Sequence, residues 1–255
     1  MTTAQKIIKY LAIAFAIFLI ITIISTILTA TVALSGILGL KKAIESSNNA
    51  QMVTTTFENA EINMLNIDIA STNLTIKQGE ILKIETNNSN IDCKQSNETL
   101  KINEKDYKWF SYNNIEKELI LYIPEDLEFQ RVKINAGAGK CEIQNLNVSQ
   151  KCKIECGAGE LTISSGIINN LDFDMGVGEA NITADLIGES EINAGVGELN
   201  IKLQGEKESY KIKADKGIGN IKIDGKQISN GEIYGDGENE IDIEGGIGSI
   251  NIYYK

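Results

Sequence analysis

The feature that most constrains this chain is a ten-residue motif that keeps returning with two glycines in fixed places. Ile134-Asn-Ala-Gly-Ala-Gly-Lys-Cys-Glu-Ile143 comes back as Ile154-Glu-Cys-Gly-Ala-Gly-Glu-Leu-Thr-Ile163 and as Phe173-Asp-Met-Gly-Val-Gly-Glu-Ala-Asn-Ile182. A fourth copy is Ile192-Asn-Ala-Gly-Val-Gly-Glu-Leu-Asn-Ile201, and two looser ones are Gly217-Ile-Gly-Asn-Ile-Lys-Ile223 and Gly246-Ile-Gly-Ser-Ile-Asn-Ile252. The first glycines fall at 137, 157, 176, 195, 217 and 246. A degenerate earlier copy runs from Ile67 to Ile76, with Ala70 and Thr72 where the glycines stand. A repeat of this length is one supersecondary unit that cannot close a core alone and must stack on its neighbours.

Within a copy the apolar residues alternate. In the third copy Leu171, Phe173, Met175 and Val177 share one phase, which predicts a strand with all four on its buried face. After the second glycine the phase slips by one, to Leu161 and Ile163 or Leu199 and Ile201. A slip in a period-two pattern needs a bulge or corner, which glycine tolerates. Gly137 and Gly139, Gly157 and Gly159, Gly176 and Gly178, Gly195 and Gly197, Gly217 and Gly219, and Gly246 and Gly248 are therefore read as structural corners. A looser third side follows, such as Leu146–Val148. The expected fold is all-β: a single-stranded β-solenoid (β-helix) of coils about 20 residues long, with rungs about 4.8 Å apart. Residues 131–255 form its regular part, and residues 57–130 its irregular first coils and cap.

A different segment precedes it. From Tyr10 to Leu40 no residue is charged, and a span needs about 20 apolar residues. The run is too long for the apolar region of a cleaved signal peptide. Residues 1–42 are expected to be one transmembrane α-helix and its flanks, and the Ser-, Asn- and Thr-rich residues 43–56 a linker. Lys6 and Lys9 precede the run and Lys41 and Lys42 follow it, so the positive-inside rule favours an extracytoplasmic domain only slightly. The expected location is the cell membrane, single-pass.

Composition removes several chemistries. The chain has no His, which excludes His-based acid–base, triad and metal chemistry. Its 24 Lys and Arg against 35 Asp and Glu, net charge -11, argue against a nucleic-acid surface. Gly137-Ala-Gly-Lys-Cys141 lacks the spacing and the following helix of a phosphate loop. Cys141, Cys152 and Cys156 occupy inward positions, where a thiol acts as a small hydrophobe. Cys141–Cys156 and Cys141–Cys152 are the disulfide pairings worth testing, and Cys93 has no sequence neighbour. Glu160, Glu179 and Glu198 follow the second glycine in successive copies and would stack as an acidic ladder, the best Ca²⁺ candidate here. Its bland alternative is a solvated charged face. Asn135, Glu155, Asp174, Asn193 and Asp215 form a second polar column. Tyr107, Trp109, Phe110 and Tyr112 cluster between strands; Trp109 and Phe110 are expected to cover the open end of the first coils, with an exposed binding lip as the alternative, and Tyr253 and Tyr254 either cover the last end or make a self-association edge.

The Ile-x-x-G-x-G-x-hydrophobic-x-Ile ladder, with Leu119-Ile-Leu-Tyr-Ile-Pro124 and Phe129-Gln-Arg-Val-Lys-Ile134 leading into it, resembles the bacterial "putative adhesin" family of unknown function. The resemblance covers about residues 57–252. It implies an envelope-exposed β-solenoid, often on one N-terminal helix, with no catalytic residues and an adhesive or envelope-stress accessory role. The expectation is a non-enzymatic binding module with no cofactor. Its partners would be the membrane through the helix, an envelope or protein ligand, and a second copy of the chain. Two alternatives stay open: a polysaccharide-active β-helix enzyme, and a cytoplasm-facing regulator of a membrane partner. The regular copies offer no unique cleft for the first, and Arg131 is the single Arg available to clamp an anionic sugar.

Overall fold

The computed structural model describes residues 52–57, 62–105 and 116–255. The expected membrane helix, most of the linker, and Tyr107, Trp109, Phe110 and Tyr112 lie outside the described residues. Among those described, no helix is long and apolar enough to cross a membrane. The end of the expected linker is instead a strand, β1 (Val53–Thr56), paired antiparallel with residues 83–86.

Apart from a 3-10 turn at Lys207–Ser209, the regular elements are strands, so the described chain is all-β. The early ones are short: β2 (Met64–Ile69), β3 (Asn73–Gly79), β4 (Lys83–Thr86), β5 (Ile91–Ser96), β6 (Thr99–Glu104) and β7 (Glu118–Pro124). Long strands carry the glycine motifs: β8 (Phe129–Ile143), β9 (Val148–Ile163), β11 (Leu171–Ile187) and β12 (Glu189–Leu203), with β10 (Ile167–Asn169) between β9 and β11. After them come β13 (Tyr210–Ile223), β14 (Lys226–Gln227), β15 (Ile233–Tyr234) and β16 (Asn239–Tyr254).

The motif copies pair parallel and in register. Gly139 stands opposite Gly159, Gly159 opposite Gly178, Gly178 opposite Gly197, and Gly197 opposite Gly248. Register follows from burial, since a one-residue slip would turn every inward side chain to solvent. One column of core residues shows this: Ile102, Ile67, Ile134, Ile154, Phe173, Ile192, Ile243 and Ala214 are successive neighbours, and each is 0% exposed. Each large member contributes about 1.5–3 kcal/mol by leaving water. Beyond the corner, Ile76, Ile143, Ile163, Ile182, Ile201, Ile252 and Ile223 form a second buried column. The degenerate copy takes its expected place, with Ile67 against Ile134 and Ile76 against Ile143.

The corner itself corrects one expectation. Met175 and Ala180 are buried, but Val177 between the two glycines is 55% exposed. The phase change begins at the first glycine, so the residue between the glycines turns outward. Val196 and Ile218 do the same. The glycines are required by stacking. Gly178 has φ +146° and Gly197 φ +141°, and a Cβ on either would fall inside the carbonyl oxygen of the corner glycine on the preceding level.

The levels do not follow chain order. The sequence of neighbours is β6 with β7, β2 with β3, β8, β9, β11, β12, β16 and β13. At the amino end β2 and β3 lie inside the later β6 and β7. At the carboxyl end β16 lies between β12 and β13. Both outer edges carry antiparallel strands: β5 on β6 and β4 on β7 at one end, β14 and β15 on β13 at the other. Such cover shortens the open edges on which other chains could pair.

The corner stack also has an end. Ala138 N–H donates to the Ala70 carbonyl (2.7 Å), continuing the ladder to the degenerate corner. The Ala70 and Ser71 amides face outward from it and donate to Glu104 Oε2 (2.9 and 3.1 Å). Asn88 Nδ2 and Lys117 Nζ donate to Glu104 Oε1 (2.9 and 3.1 Å). Burial alone would raise the Glu104 pKa. The Ser71 and Ala70 amides, Lys117 and Asn88 outweigh it and lower the pKa to about 2.

Two measurements test these packing statements. Gly178→Ala should cost about 3 kcal/mol or more in urea unfolding, through strain and a displaced carbonyl, while Val177→Ala should change stability by less than about 0.5 kcal/mol. Glu104→Gln should cost about 2 kcal/mol at neutral pH. Because the folded pKa lies below the ordinary value, the carboxylate's contribution is complete above about pH 5 and is lost as pH falls toward about 2. The stability gap between the two proteins should therefore narrow across that window.

Candidate functional site: the groove along the glycine corners

The corners line up into a shallow open groove. Gly159, Gly178, Gly197 and Gly248 make its floor, and Glu160, Glu179, Glu198, Ser249 and Asn220 make one wall. Because the floor residues have no side chains, backbone is accessible along it. Val177, Val196 and Ile218 stand 55%, 44% and 50% exposed beside it, one from each of three levels. Scattered exposed apolar residues are ordinary, but Val177 and Val196 are register neighbours and the half-buried Ile247 joins Val196 to Ile218, so one position makes an apolar row across four levels.

The three candidate glutamates do form the ladder read from sequence, with Glu179 opposite both Glu160 and Glu198. Each has its own partner. Glu160 pairs with Lys140 (3.2 Å), whose ammonium also meets Glu142 (3.2 Å). These two carboxylates hold the Lys140 pKa above its ordinary value. Glu179 Oε1 accepts from Asn181 Nδ2 (2.8 Å), and Glu198 Oε1 from Asn251 Nδ2 (3.3 Å). Those asparagines form a ladder of their own: Asn251 Nδ2 donates to Asn200 Oδ1 (2.9 Å) and Asn200 Nδ2 to Asn181 Oδ1 (3.0 Å). Among the described residues no three carboxylate or thiol groups converge to hold a metal ion.

The second polar column is bridged by lysines. Lys153 meets Glu155 (3.1 Å), Asp172 (3.1 Å) and Asp174 (3.2 Å). Partial desolvation lowers its pKa, but hydrogen bonds to Asp172, Glu155 and Asp174 more than reverse this, so it titrates above its ordinary value. Asn193 Nδ2 donates to Asp174 Oδ1 (2.9 Å), and Lys213 pairs with Asp215 (3.2 Å) and Asp242 (3.4 Å). This face is thus largely self-neutralised, unlike the groove wall at Glu179 and Glu198.

All four thiols are free. Neither disulfide pairing considered from sequence is therefore formed; Cys141 and Cys152 are buried. Burial raises the Cys152 pKa to about 12 and the Cys93 and Cys156 values to about 11, and raises Cys141 as well. Such thiols are poor nucleophiles at neutral pH. Tyr254 packs against Tyr210 and Tyr234 (ring centroids 6.1 and 6.5 Å), as expected of an end cap, while Tyr253 is exposed.

Sequence reasoning missed three things here. The outward turn of Val177, Val196 and Ile218 was hidden because they continue the apolar alternation. Ser249 joins the wall beside Glu198 only because β16 pairs with β12. Glu104 carries no local signal, since its partners come from positions 70, 71, 88 and 117.

Residues 163–224 match the family model of the N-terminal domain of toast_rack, DUF2154. No curated protein matches the chain by sequence. A structure of a putative cell adhesion protein from Clostridium sporogenes is similar at 22% identity and a TM-score of 0.51, covering 80% of this chain and 99% of its own. A putative adhesin from Bacteroides fragilis aligns over 80% of this chain and 98% of its own, at 12% identity and a TM-score of 0.33. The resemblance carried by the glycine ladder is thereby supported from two directions, and the chain shares its fold with the Clostridium protein and its 163–224 sequence pattern with the DUF2154 domain, in keeping with a putative adhesin family of unknown function.

Proposed function

We propose that the chain is an adhesin-like, non-catalytic binding module: a β-solenoid displayed outside the cell by one N-terminal membrane-spanning helix. The observation that carries this reading is the groove. Identical backbone corners repeat level after level, so an extended ligand meets the same surface at each step. Repetition of weak contacts gives avidity without a deep pocket. The wall supplies carboxylates and the row beside it apolar contact, which suits an extended cationic ligand of the cell envelope or a basic protein segment. The uncharged run from Tyr10 to Leu40 supports anchoring.

Display is tested with a membrane-impermeant maleimide on intact cells. The reporter is Lys226→Cys, exposed in the short strand β14, in a Cys93→Ser, Cys156→Ser background that leaves only the buried Cys141 and Cys152. Labelling of intact cells is expected. Labelling only after permeabilisation would favour the cytoplasm-facing regulator instead. For the groove, Glu179→Lys with Glu198→Lys should weaken binding to isolated envelope material about tenfold or more. Lys211→Glu, outside the groove, should leave it unchanged. Release of soluble sugar products from that material would favour the polysaccharide-active enzyme.

A further inference from the structure

At the amino end, two segments are held side by side beyond the strands that bring them together. β4 pairs antiparallel with β7, and the pairing ends at Thr86 opposite Leu119. The Asn87 side chain carries it further. Its Oδ1 accepts from Glu118 N–H (2.8 Å), and its Nδ2 donates to the Glu116 carbonyl (2.9 Å). Asn73 N–H donates to the Lys117 carbonyl (2.8 Å). Lys117 is thus held at its own backbone and through both of its neighbours. The same register, continued, sets Asn88 opposite Lys117. Residues directly opposite in an antiparallel pair have Cβ atoms about 4.5–5.5 Å apart.

Both side chains meet at one oxygen. Lys117 Nζ and Asn88 Nδ2 donate to Glu104 Oε1 (3.1 and 2.9 Å). The place is enclosed: Asn88 is 5% exposed, Thr72 2% and the Glu104 side chain 3%. Asn88 Nδ2 also donates to Thr72 Oγ1 (2.8 Å), and Asn88 Oδ1 accepts from Asn90 N–H (3.0 Å). The carboxamide therefore cannot turn over without losing these bonds. An amine, a carboxamide, a carboxyl group touching both nitrogens and an N–H on the carboxamide oxygen are the parts of an acyl transfer: nucleophile, acyl group, proton carrier and oxyanion donor. Lys153 and Asn193 on Asp174, and Lys213 and Asn230 on Asp215, look similar but differ in two ways. Their nitrogens bind different oxygens of the carboxylate, and that carboxylate is exposed to water.

We propose that Lys117 and Asn88 become joined by an isopeptide bond, with Glu104 as the catalytic residue. The Lys117 ammonium passes a proton to Glu104, and the neutral amine attacks Asn88 Cγ. Asn90 N–H binds the oxygen that gains charge. A bond forms between Lys117 Nζ and Asn88 Cγ, and the Cγ–Nδ2 bond breaks. The departing nitrogen takes one proton from Glu104 and one from the attacking nitrogen, and leaves as ammonium. Glu104 ends as the carboxylate it began as, and no oxidant or other reactant is consumed. The Ala70 and Ser71 amides favour that carboxylate, so the neutral pair is a minor form and the reaction is slow. Fixed proximity offsets this, and loss of ammonium makes a single turnover permanent. The new amide keeps one N–H for Glu104 and ties the connection between β4 and β5 to the start of β7. The cap at the amino end is then closed covalently. This inference concerns the amino end and stands whichever way the display and groove tests fall.

The test is the mass of the purified full-length chain after prolonged incubation at neutral pH. It should be lighter than the sequence mass by one ammonia. That loss alone also fits ring closure of Asn88 onto the Ser89 amide, so a tryptic digest locates it. Asn88 and Lys117 should appear in one branched peptide, uncleaved after Lys117. Lys117→Met and Glu104→Gln should each restore the full mass and the linear peptides. The unmodified mass in the natural sequence would overturn the proposal, and so would loss of ammonia with Asn88 and Lys117 on separate linear peptides. Neither readout depends on a variant folding. A branched peptide that persists in Glu104→Gln would overturn the catalytic role given to Glu104.

Discussion

Carbonyl oxygens of one corner lie where a side chain on the next corner would have to be. This close approach explains why glycine recurs at two places in the copies from 137 to 248, and why the glycines repeat when their neighbours vary between Ala, Val and Ile. It also fixes the register. Once Gly159, Gly178 and Gly197 are stacked, the apolar residues on either side fall into continuous columns. A one-residue slip would both expose those columns and drive side chains into backbone. Corner contact and core burial thus specify the same arrangement, and that consistency is what makes a repeated sequence settle on one structure.

A stack of parallel strands leaves unpaired backbone at its two ends, and the two ends are finished differently. At the amino end the outward-facing amides of the degenerate corner close on the buried Glu104 carboxylate, which Asn88 and Lys117 also satisfy. At the carboxyl end β14 and β15 fold back on both arms of β13, and an aromatic group of Tyr210, Tyr234 and Tyr254 covers the adjoining connection. At both ends the chain also sets a later or earlier strand inside the outermost level. The terminal levels are thereby tied to the stack by long-range pairing, which keeps them from fraying as independent last coils.

The outward columns show the same logic applied to charge. Lys153 and Lys213 sit among carboxylates contributed by neighbouring levels, so stacking brings opposite charges together. Exposed pairs of this kind add little stability each, but they relieve the repulsion that in-register acids would otherwise suffer. Along the groove the relief is incomplete: Glu179 and Glu198 are met by amides, not by ammonium groups. That difference gives one face of a repetitive molecule a distinct polarity.

Much of this was legible in the sequence. The alternation of Leu171, Phe173 and Met175, the phase slip before Leu161 and Leu199, the corner glycines and the degenerate copy at 67–76 all encode local geometry, and burial at a period of two leaves a direct trace. The acidic ladder at 160, 179 and 198 followed from the same register. The order of the levels left no such trace, because every copy offers nearly the same edge and local pattern does not say which two edges meet. That choice was made by the tertiary structure, through the lengths of the connections at 204–209 and 224–238 and the closure of the ends. The outward turn of Val177, Val196 and Ile218 and the cap at Glu104 belong to the same class. Each depends on where backbone from a distant part of the chain comes to rest, and a side chain's own neighbours in sequence carry no record of it.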